Sequence, residues 1–133
     1  MAAEQREPAV IRLDETSPTP KYQQIVEQVR ALVATGALPP RTPLPSVRQL
    51  AADLGINVNT VLAAYRALES EGIVLLRHGA RAVVHPRLER VAEPRLDDVE
   101  RIRAGLERIR TDALLAGMSL EQLRALAGDV FGG

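Results

Sequence analysis

Apolar residues between positions 19 and 36 recur every three or four residues, which predicts an amphipathic helix. Thr19 and Pro20 are suited to the N-cap and first turn of this helix, and Gly36 is suited to its end. The helix is therefore expected to pack one face against the elements that follow it. That face consists of Tyr22, Ile25, Val26, Val29, Leu32 and Val33.

The segments on either side of this helix have different patterns. Residues 1 to 9 lack periodicity and Val10 to Leu13 is compatible with a short edge strand, so residues 1–13 are expected to form an arm that is partly disordered. After the helix, four prolines between positions 39 and 45 predict an extended connector, because proline removes a donor and restricts the residue before it.

Residues 45 to 72 predict two short helices joined by a tight turn. Ser46 with Gln49 forms a capping-box pattern, and Gly55 supplies a stop, so the first helix is expected over 46–54. Asn57 is a suitable N-cap for the second helix, which should end near Gly72. A helix pair of this kind with a polar leading tip is typical of proteins that place a helix in the DNA major groove. Its buried stripe is expected to be Val61, Tyr65 and Leu68.

The next segment predicts a two-stranded hairpin. Ile73 to Leu76 and Ala82 to His85 are apolar and compatible with strands, and residues 77–81 between them are polar or small. Both Tyr22 and Tyr65 fall on apolar helix faces, so they are expected in the core rather than as stacking platforms for bases.

The C-terminal tail predicts two helices with an apolar seam. Gly117 closes the first helix, and Ser119 with Gln122 forms a capping box that opens the second. Helices this short do not bury their apolar faces alone, so we expect a homodimer; the alternative is that the tail folds back on its own chain. The expected dimerisation residues are Val99, Ile102, Leu106, Ile109, Ala113, Leu120 and Leu123, and Ala116 continues the seam of the first helix.

Composition narrows the possible functions. The 133 residues include no cysteine and two histidines, both within the predicted hairpin, so no nucleophile, metal or cofactor site is expected and we do not expect an enzyme. Residues 21–87 contain eight Lys and Arg against four Asp and Glu, a net charge of +4 within a chain of net charge zero. Such a distribution suits phosphate contacts without indiscriminate binding. With no apolar run near ~18 residues, we expect a cytoplasmic protein without membrane partners.

The run from Pro20 to Val84 resembles the winged helix-turn-helix of GntR-family transcription regulators. PKYQQIVEQVRALVATGAL is similar to the family's opening helix, LPSVRQLAADLGINVNTVLAAYRALESEGIV to its helix-turn-helix, and RHGARAVV to its wing. The short tail is similar to that of the YtrA-like subfamily. The resemblance implies an α+β, mainly α fold, with a winged helix-turn-helix domain over 14–87 followed by a short two-helix dimerisation tail over 88–133. Arg41 stands where the family usually has glycine.

The resemblance also implies a DNA-binding surface. Arg48 matches a family arginine that contacts DNA, whereas Val58 and Leu62 replace arginines of many relatives; Val58 suits a thymine methyl, and Leu62 suits burial. Ser46 and Asn57 serve as caps, as DNA ligands or as both, and Arg66 and His78 are either contacts or solvated residues. The expected set is Ser46, Arg48, Asn57, Val58, Asn59, Thr60, Arg66, Arg77, His78, Gly79 and Arg81.

We therefore expect a sequence-specific, DNA-binding transcription regulator, a dimeric repressor of a palindromic operator in double-stranded DNA. The alternative from another class is a winged-helix docking module that binds protein and not DNA. A third possibility, effector sensing, is disfavoured because the tail is too small to enclose a pocket of ~300 Å³ or more. Any effector would then bind between subunits or at the domain junction.

Overall fold

The computed structural model describes residues 11–78, 81–90 and 93–132, which fall into two compact units, Met1–Arg90 and Val91–Gly133. The first unit is a winged helix-turn-helix, and the second is a pair of helices, so the expected α+β, mainly α class is confirmed. The first unit contains α1 (Lys21–Ala34), α2 (Val47–Leu54), α3 (Val58–Ser70), β1 (Val74–Arg77), β2 (Arg81–Val84) and a 3₁₀ helix (Pro86–Arg90). The second contains α4 (Leu96–Leu115) and α5 (Leu120–Phe131).

The core of the first unit lies around α3. This helix packs against α1, α2 and β1, and the side chains on its inner face are inaccessible to solvent. Burial of each large apolar side chain contributes about 1.5–3 kcal/mol, so the inner face fixes how α3 is rotated. The most deeply buried large side chains are Tyr65, Ile25, Leu68, Val29, Val47, Val61, Val74 and Val84.

The segment before α1 is held by glutamines rather than by a sheet. Residues 11–13 form no strand, contrary to the sequence prediction, and Val10 lies outside the described residues. Gln28 accepts a hydrogen bond from Arg12 N and donates to Arg12 O, and Gln24 does the same for Asp14. Two side-chain amides thus satisfy the backbone groups that a neighbouring strand would otherwise pair. Of the arm predicted to be partly disordered, residues 1–13, the first ten residues lie outside the described residues.

The proline-rich connector runs beside β2. Leu44 N donates to Ala82 O at 2.8 Å and Val84 N donates to Thr42 O at 2.8 Å, so the connector extends the hairpin as a third, irregular strand. Arg41 has φ of 71°, a conformation that favours glycine, and its guanidinium Nε lies 2.6 Å from Glu89 Oε1. The Arg41 guanidinium is therefore paired with a carboxylate of the 3₁₀ helix.

Most helix boundaries follow the predicted capping residues. Ser46 Oγ accepts from Gln49 N at 3.0 Å, and Gly55 ends α2 with φ of 68°. The second half of the predicted capping box is absent, because the Gln49 amide donates to Asp53 instead. Helix α1 was expected to be capped by Thr19; its N-cap is Pro20, without a side-chain bond.

Tyr22 was predicted to lie in the core, and this prediction is wrong. Its side chain is 43% exposed, because it lies in the first turn of α1, one turn before the buried Ile25. Tyr65 is fully buried, as predicted.

The second unit is a helical hairpin. The predicted capping box is confirmed, since Ser119 Oγ accepts from Gln122 N while the Gln122 side chain accepts from Ser119 N. Helix α4 packs against α5, and Ala113 is the buried position of α4. In the part of the chain that the structure describes, no helix is both long and apolar enough to span a bilayer.

Candidate nucleic-acid interface

The N-terminal tip of α3 is the exposed end of a helix whose other face is buried. Asn57 caps the helix, its side-chain oxygen accepting from Asn59 N at 2.7 Å. Asn57, Val58 and Asn59 are exposed and Thr60 is half-buried, whereas Val61 is completely buried. The remaining free N–H groups and the positive end of the helix dipole therefore face solvent, where they favour an anion such as phosphate.

The outward face of α3 continues from this tip. Asn59, Ala63 and Arg66 are exposed at spacings of four and three residues, so they lie on one side of the helix. Leu62, expected to be buried, is half-buried and packs against the core. Ala63 was absent from the sequence prediction, although its spacing from Asn59 would have indicated it. Its small side chain allows close approach to this face.

Helix α2 carries two further predicted residues close to the turn. Ser46 is half-buried as the N-cap, and Arg48 is exposed two residues later. Among the described residues, Arg48 has no ion-pair partner. Its guanidinium is therefore available to an external anion, and its removal would leave no described carboxylate unpaired.

A buried tyrosine fixes α3 relative to the start of α2. The Tyr65 hydroxyl donates to the Pro45 carbonyl oxygen at 2.7 Å, immediately before the Ser46 cap. Burial raises the pKa of the Tyr65 hydroxyl, because desolvation disfavours the phenolate, so the group remains a donor. This bond sets the spatial relation between Arg48 and the tip of α3.

The wing brings two predicted cations together. Arg77 and Arg81 are partners across the antiparallel hairpin, and both are exposed. Like charges directly opposite one another are destabilising, so this position favours an anion between or beside them. His78 is exposed at the end of β1, and Gly79 lies outside the described residues.

The wing is also attached to the far end of α3. Glu69 Oε2 accepts from Leu76 N at 3.2 Å, so a carboxylate of α3 satisfies an outward backbone group of β1. Sequence reasoning did not identify Glu69. Its exposed position on the helix gave no indication that it would bond to the strand.

Within the described ranges, no three His, Cys, Asp or Glu residues form a cluster that could hold a metal ion.

Some of the predicted dimerisation residues are buried or half-buried within the helical hairpin, and the others are exposed. Ala113 lies against α5, and Val99 and Leu123 are half-buried. Ile102, Leu106 and Ile109 are each more than half exposed. Leu120 is also exposed. An apolar groove in this hairpin is lined by Leu106, Ile109, Leu123, Arg124, Leu126, Ala127, Val130 and Phe131.

Comparisons with known proteins agree with this geometry. The model of "Bacterial regulatory proteins, gntR family" matches residues 21–84. The chain is 35% identical over 128 residues to the HTH-type transcriptional repressor YtrA of Bacillus subtilis (strain 168), covering 93% of this chain and 97% of that protein.

Two solved structures extend the similarity. A transcriptional antiterminator from Listeria monocytogenes EGD-e aligns with a TM-score of 0.78 at 25% identity, covering 96% of this chain and 92% of that one. YtrA from Sulfolobus acidocaldarius, a GntR-family transcription factor, aligns with a TM-score of 0.57 at 34% identity, covering 76% and 99%. The chain therefore belongs to the gntR family of bacterial regulatory proteins, as a DNA-binding transcription regulator.

Proposed function

We propose that the chain is a sequence-specific, dimeric repressor that inserts the N-terminal tip of α3 into the DNA major groove. The observation that carries this proposal is the difference in side-chain burial between the inner face of α3 and its N-terminal tip. Val61, Ala64, Tyr65 and Leu68 are fully buried, whereas the tip at residues 57–59 is exposed. The core thus holds the helix rigidly from one side and leaves its polar end free to meet base edges.

The side chains at the tip suit different contacts. Asn59 and Thr60 offer hydrogen-bonding groups to base edges, and Val58, 42% exposed, suits contact with a thymine methyl group. Asn57 already uses its oxygen in the cap, which leaves its amide N–H groups for a phosphate or a base. These residues give the sequence-dependent part of binding.

Cationic side chains supply the part of DNA binding that depends on the charge of the phosphate backbone. Arg48 is exposed on α2, Arg66 is exposed about two turns along α3 from the tip, and the wing presents Arg77, His78 and Arg81. Guanidinium groups bind phosphate oxygens in a bidentate geometry, which fixes the register of the protein on the duplex. Gly79 belongs to the same proposed contact, and Ser46 adds a hydroxyl at the start of α2.

We propose a DNA-binding domain at residues 14–87 and a dimerisation tail at 88–133, of which the first two residues, Leu88 and Glu89, are held by the domain. The partly exposed seam of Ile102, Leu106 and Ile109 needs an apolar partner, and a second copy supplies the same seam. Two DNA-binding domains related by a two-fold axis would recognise a palindrome, with half-sites about one helical turn apart.

Repression is proposed from the relative in Bacillus subtilis, which is a transcriptional repressor. Occlusion of a promoter requires only binding to DNA. The relatives are transcription regulators, and we propose no catalytic activity or cofactor. We also propose that the protein acts in the cytoplasm, where the bacterial chromosome lies.

The DNA-binding proposal is tested with duplexes selected from a random pool by the purified chain. Arg48→Ala should weaken binding to the selected duplex by about 1–3 kcal/mol while leaving the fold unchanged, because an exposed arginine contributes little packing. Arg12→Ala is the matched control, since it removes the same charge from an exposed position beside α1.

A gel-shift titration measures both variants. Equal affinities for Arg48→Ala and Arg12→Ala would reject the proposed role of Arg48. Failure of the unmodified chain to bind any duplex at low salt would instead favour the docking function.

The dimer is tested by Ile109→Asp, which places a carboxylate in the seam. Thr111→Asp is the control, because it adds the same charge two residues along α4, on a different face of the helix. Analytical ultracentrifugation should find monomers for Ile109→Asp and dimers for Thr111→Asp. A dimer that persists in both variants would move the interface away from this seam.

A further inference from the structure

The 3₁₀ helix Pro86–Arg90 lies in the chain between the wing and α4, and it is fastened to the first unit by charged side chains. Arg87 Nε donates to the carbonyl oxygen of Gly72 at 2.8 Å, and Arg87 Nη2 donates to that of Glu71 at 3.4 Å. These carbonyls follow the end of α3, where a cation is favoured by the helix dipole. Arg87 therefore attaches the 3₁₀ helix to the C-terminal end of α3.

The backbone at Gly72 leaves room for the Arg87 guanidinium. Gly72 has φ of 75°, and a Cβ built there would lie 2.8 Å from Arg87 Nε, so a side chain would displace the guanidinium. The Glu71 side chain is itself paired with Arg30 of α1. Glu71 thus links Arg87, through its carbonyl oxygen, to Arg30 of α1, through its carboxylate.

Two further residues of the segment hold other parts of the unit. Leu88 packs against the hydrophobic core. Glu89 accepts from Arg41 Nε, with oxygens at 2.6 and 3.3 Å, and so holds the connector that precedes α2. Three consecutive residues therefore contact the end of α3, the core and the connector.

This attachment determines how many residues join the held segment to the second unit. With Glu89 held, only residues 90–95 separate the anchored chain from the start of α4 at Leu96. Release of residues 85–89 would add up to about 3.3 Å of reach per residue, or about 16 Å altogether. DNA rises about 3.4 Å per base pair, so this reach corresponds to roughly four to five base pairs.

We propose that Arg87 and Glu89 are positioning residues that set the half-site spacing accepted by the dimer. The inference rests on the proposed dimeric function. Two DNA-binding units joined through their tails bind with an effective concentration that depends on the length and stiffness of the joining segments. A shorter joining segment narrows the range of half-site separations that the two DNA-binding units can reach at the same time.

Arg87 is poorly placed to act as a DNA contact instead. Helix α3 has 13 residues and is therefore about 20 Å long, and Arg87 lies at the end opposite the tip. Its Nε and Nη2 groups are already engaged with backbone carbonyls.

The test uses the full chain with Arg87→Ala and Glu89→Ala combined, which leaves net charge unchanged. The control combines Lys21→Ala with Glu15→Ala, which removes another exposed ion pair of the same unit without touching the segment. Neither double variant removes an apolar core side chain, and thermal unfolding of both variants verifies that they fold. The probe is the duplex selected by the unmodified chain, together with versions that have one to five base pairs inserted or removed between half-sites.

Each inserted base pair rotates one half-site by about 35° relative to the other. We expect the unmodified chain and the control to lose about tenfold or more in affinity after a two-base-pair insertion, and the Arg87 and Glu89 variant to lose about threefold or less. An Arg87→Lys variant, which keeps a cation, should recover part of the discrimination.

The outcomes separate this inference from the proposed function. If the variant binds every spacing more weakly by the same factor, Arg87 and Glu89 do not set spacing and the inference is wrong. It is also wrong if the unmodified chain binds all spacings equally. Selected sites without palindromic symmetry, or a monomer in ultracentrifugation, would overturn the proposed dimer itself.

Discussion

Tyr65→Phe tests how the helix-turn-helix is held together. The substitution removes one hydroxyl from a fully buried side chain and leaves the ring in place. The Pro45 carbonyl oxygen then loses a donor at 2.7 Å, the only one it has among the described residues. Loss of one partner of such a hydrogen bond costs about 1–3 kcal/mol, and Pro45 is half-buried, so we expect a value near 1–2 kcal/mol.

Thermal and denaturant unfolding measure this cost. For a domain of this size, the expected change corresponds to a fall in Tm of roughly 4–16 °C. Tyr22→Phe is the matched control, because the Tyr22 side chain is 43% exposed and its loss of a hydroxyl should change stability by less than about 0.5 kcal/mol. Equal stabilities of the two variants would refute the structural role of the Tyr65 hydroxyl.

Three further substitutions test individual groups. Ser46→Ala should destabilise the first unit by about 1 kcal/mol in denaturant unfolding, because Gln49 N loses its cap; no change in stability would show that the cap contributes nothing. Arg81→Ala should reduce the slope of log affinity against log salt by about 1 if the wing contacts one phosphate; an unchanged slope would remove it from the interface. Hydrogen bonds from Thr16 lower the pKa of Asp14, so Asp14 contributes stability above its unfolded pKa, and that contribution is lost as pH falls through the lower folded value. Asp14→Asn should therefore weaken the acid dependence of unfolding, and an identical dependence would contradict this assignment.

Local rules were sufficient to predict the helix-turn-helix and the hairpin. Ser46 and Asn57 cap their helices, Gly55 takes the left-handed conformation, and the stripe containing Tyr65 is buried. These features depend on neighbouring residues and on helical spacing, both of which are visible in a sequence. Membership of the gntR family followed from the same residues and is confirmed.

Features that depend on distant partners were not predicted. Gln28 pairs with the backbone of Arg12, sixteen residues away, and replaces the expected strand. Arg41 adopts a conformation that favours glycine and binds Glu89, 48 residues away. Tyr22 lies on the predicted apolar face but beyond the part of α1 that the core covers. The site residues and the dimer remain predictions, because both involve a second molecule.

An altered-specificity selection tests the central claim most directly. Val58 is the first residue of α3 and is exposed at its tip, so Val58→Arg places a guanidinium where a base edge should lie. Selection of duplexes from a random pool, with the unmodified chain and with the variant, should give sites that differ at one or two positions in each half-site, with guanine newly preferred there. Identical preferences for both proteins would contradict insertion of the tip of α3 into the major groove.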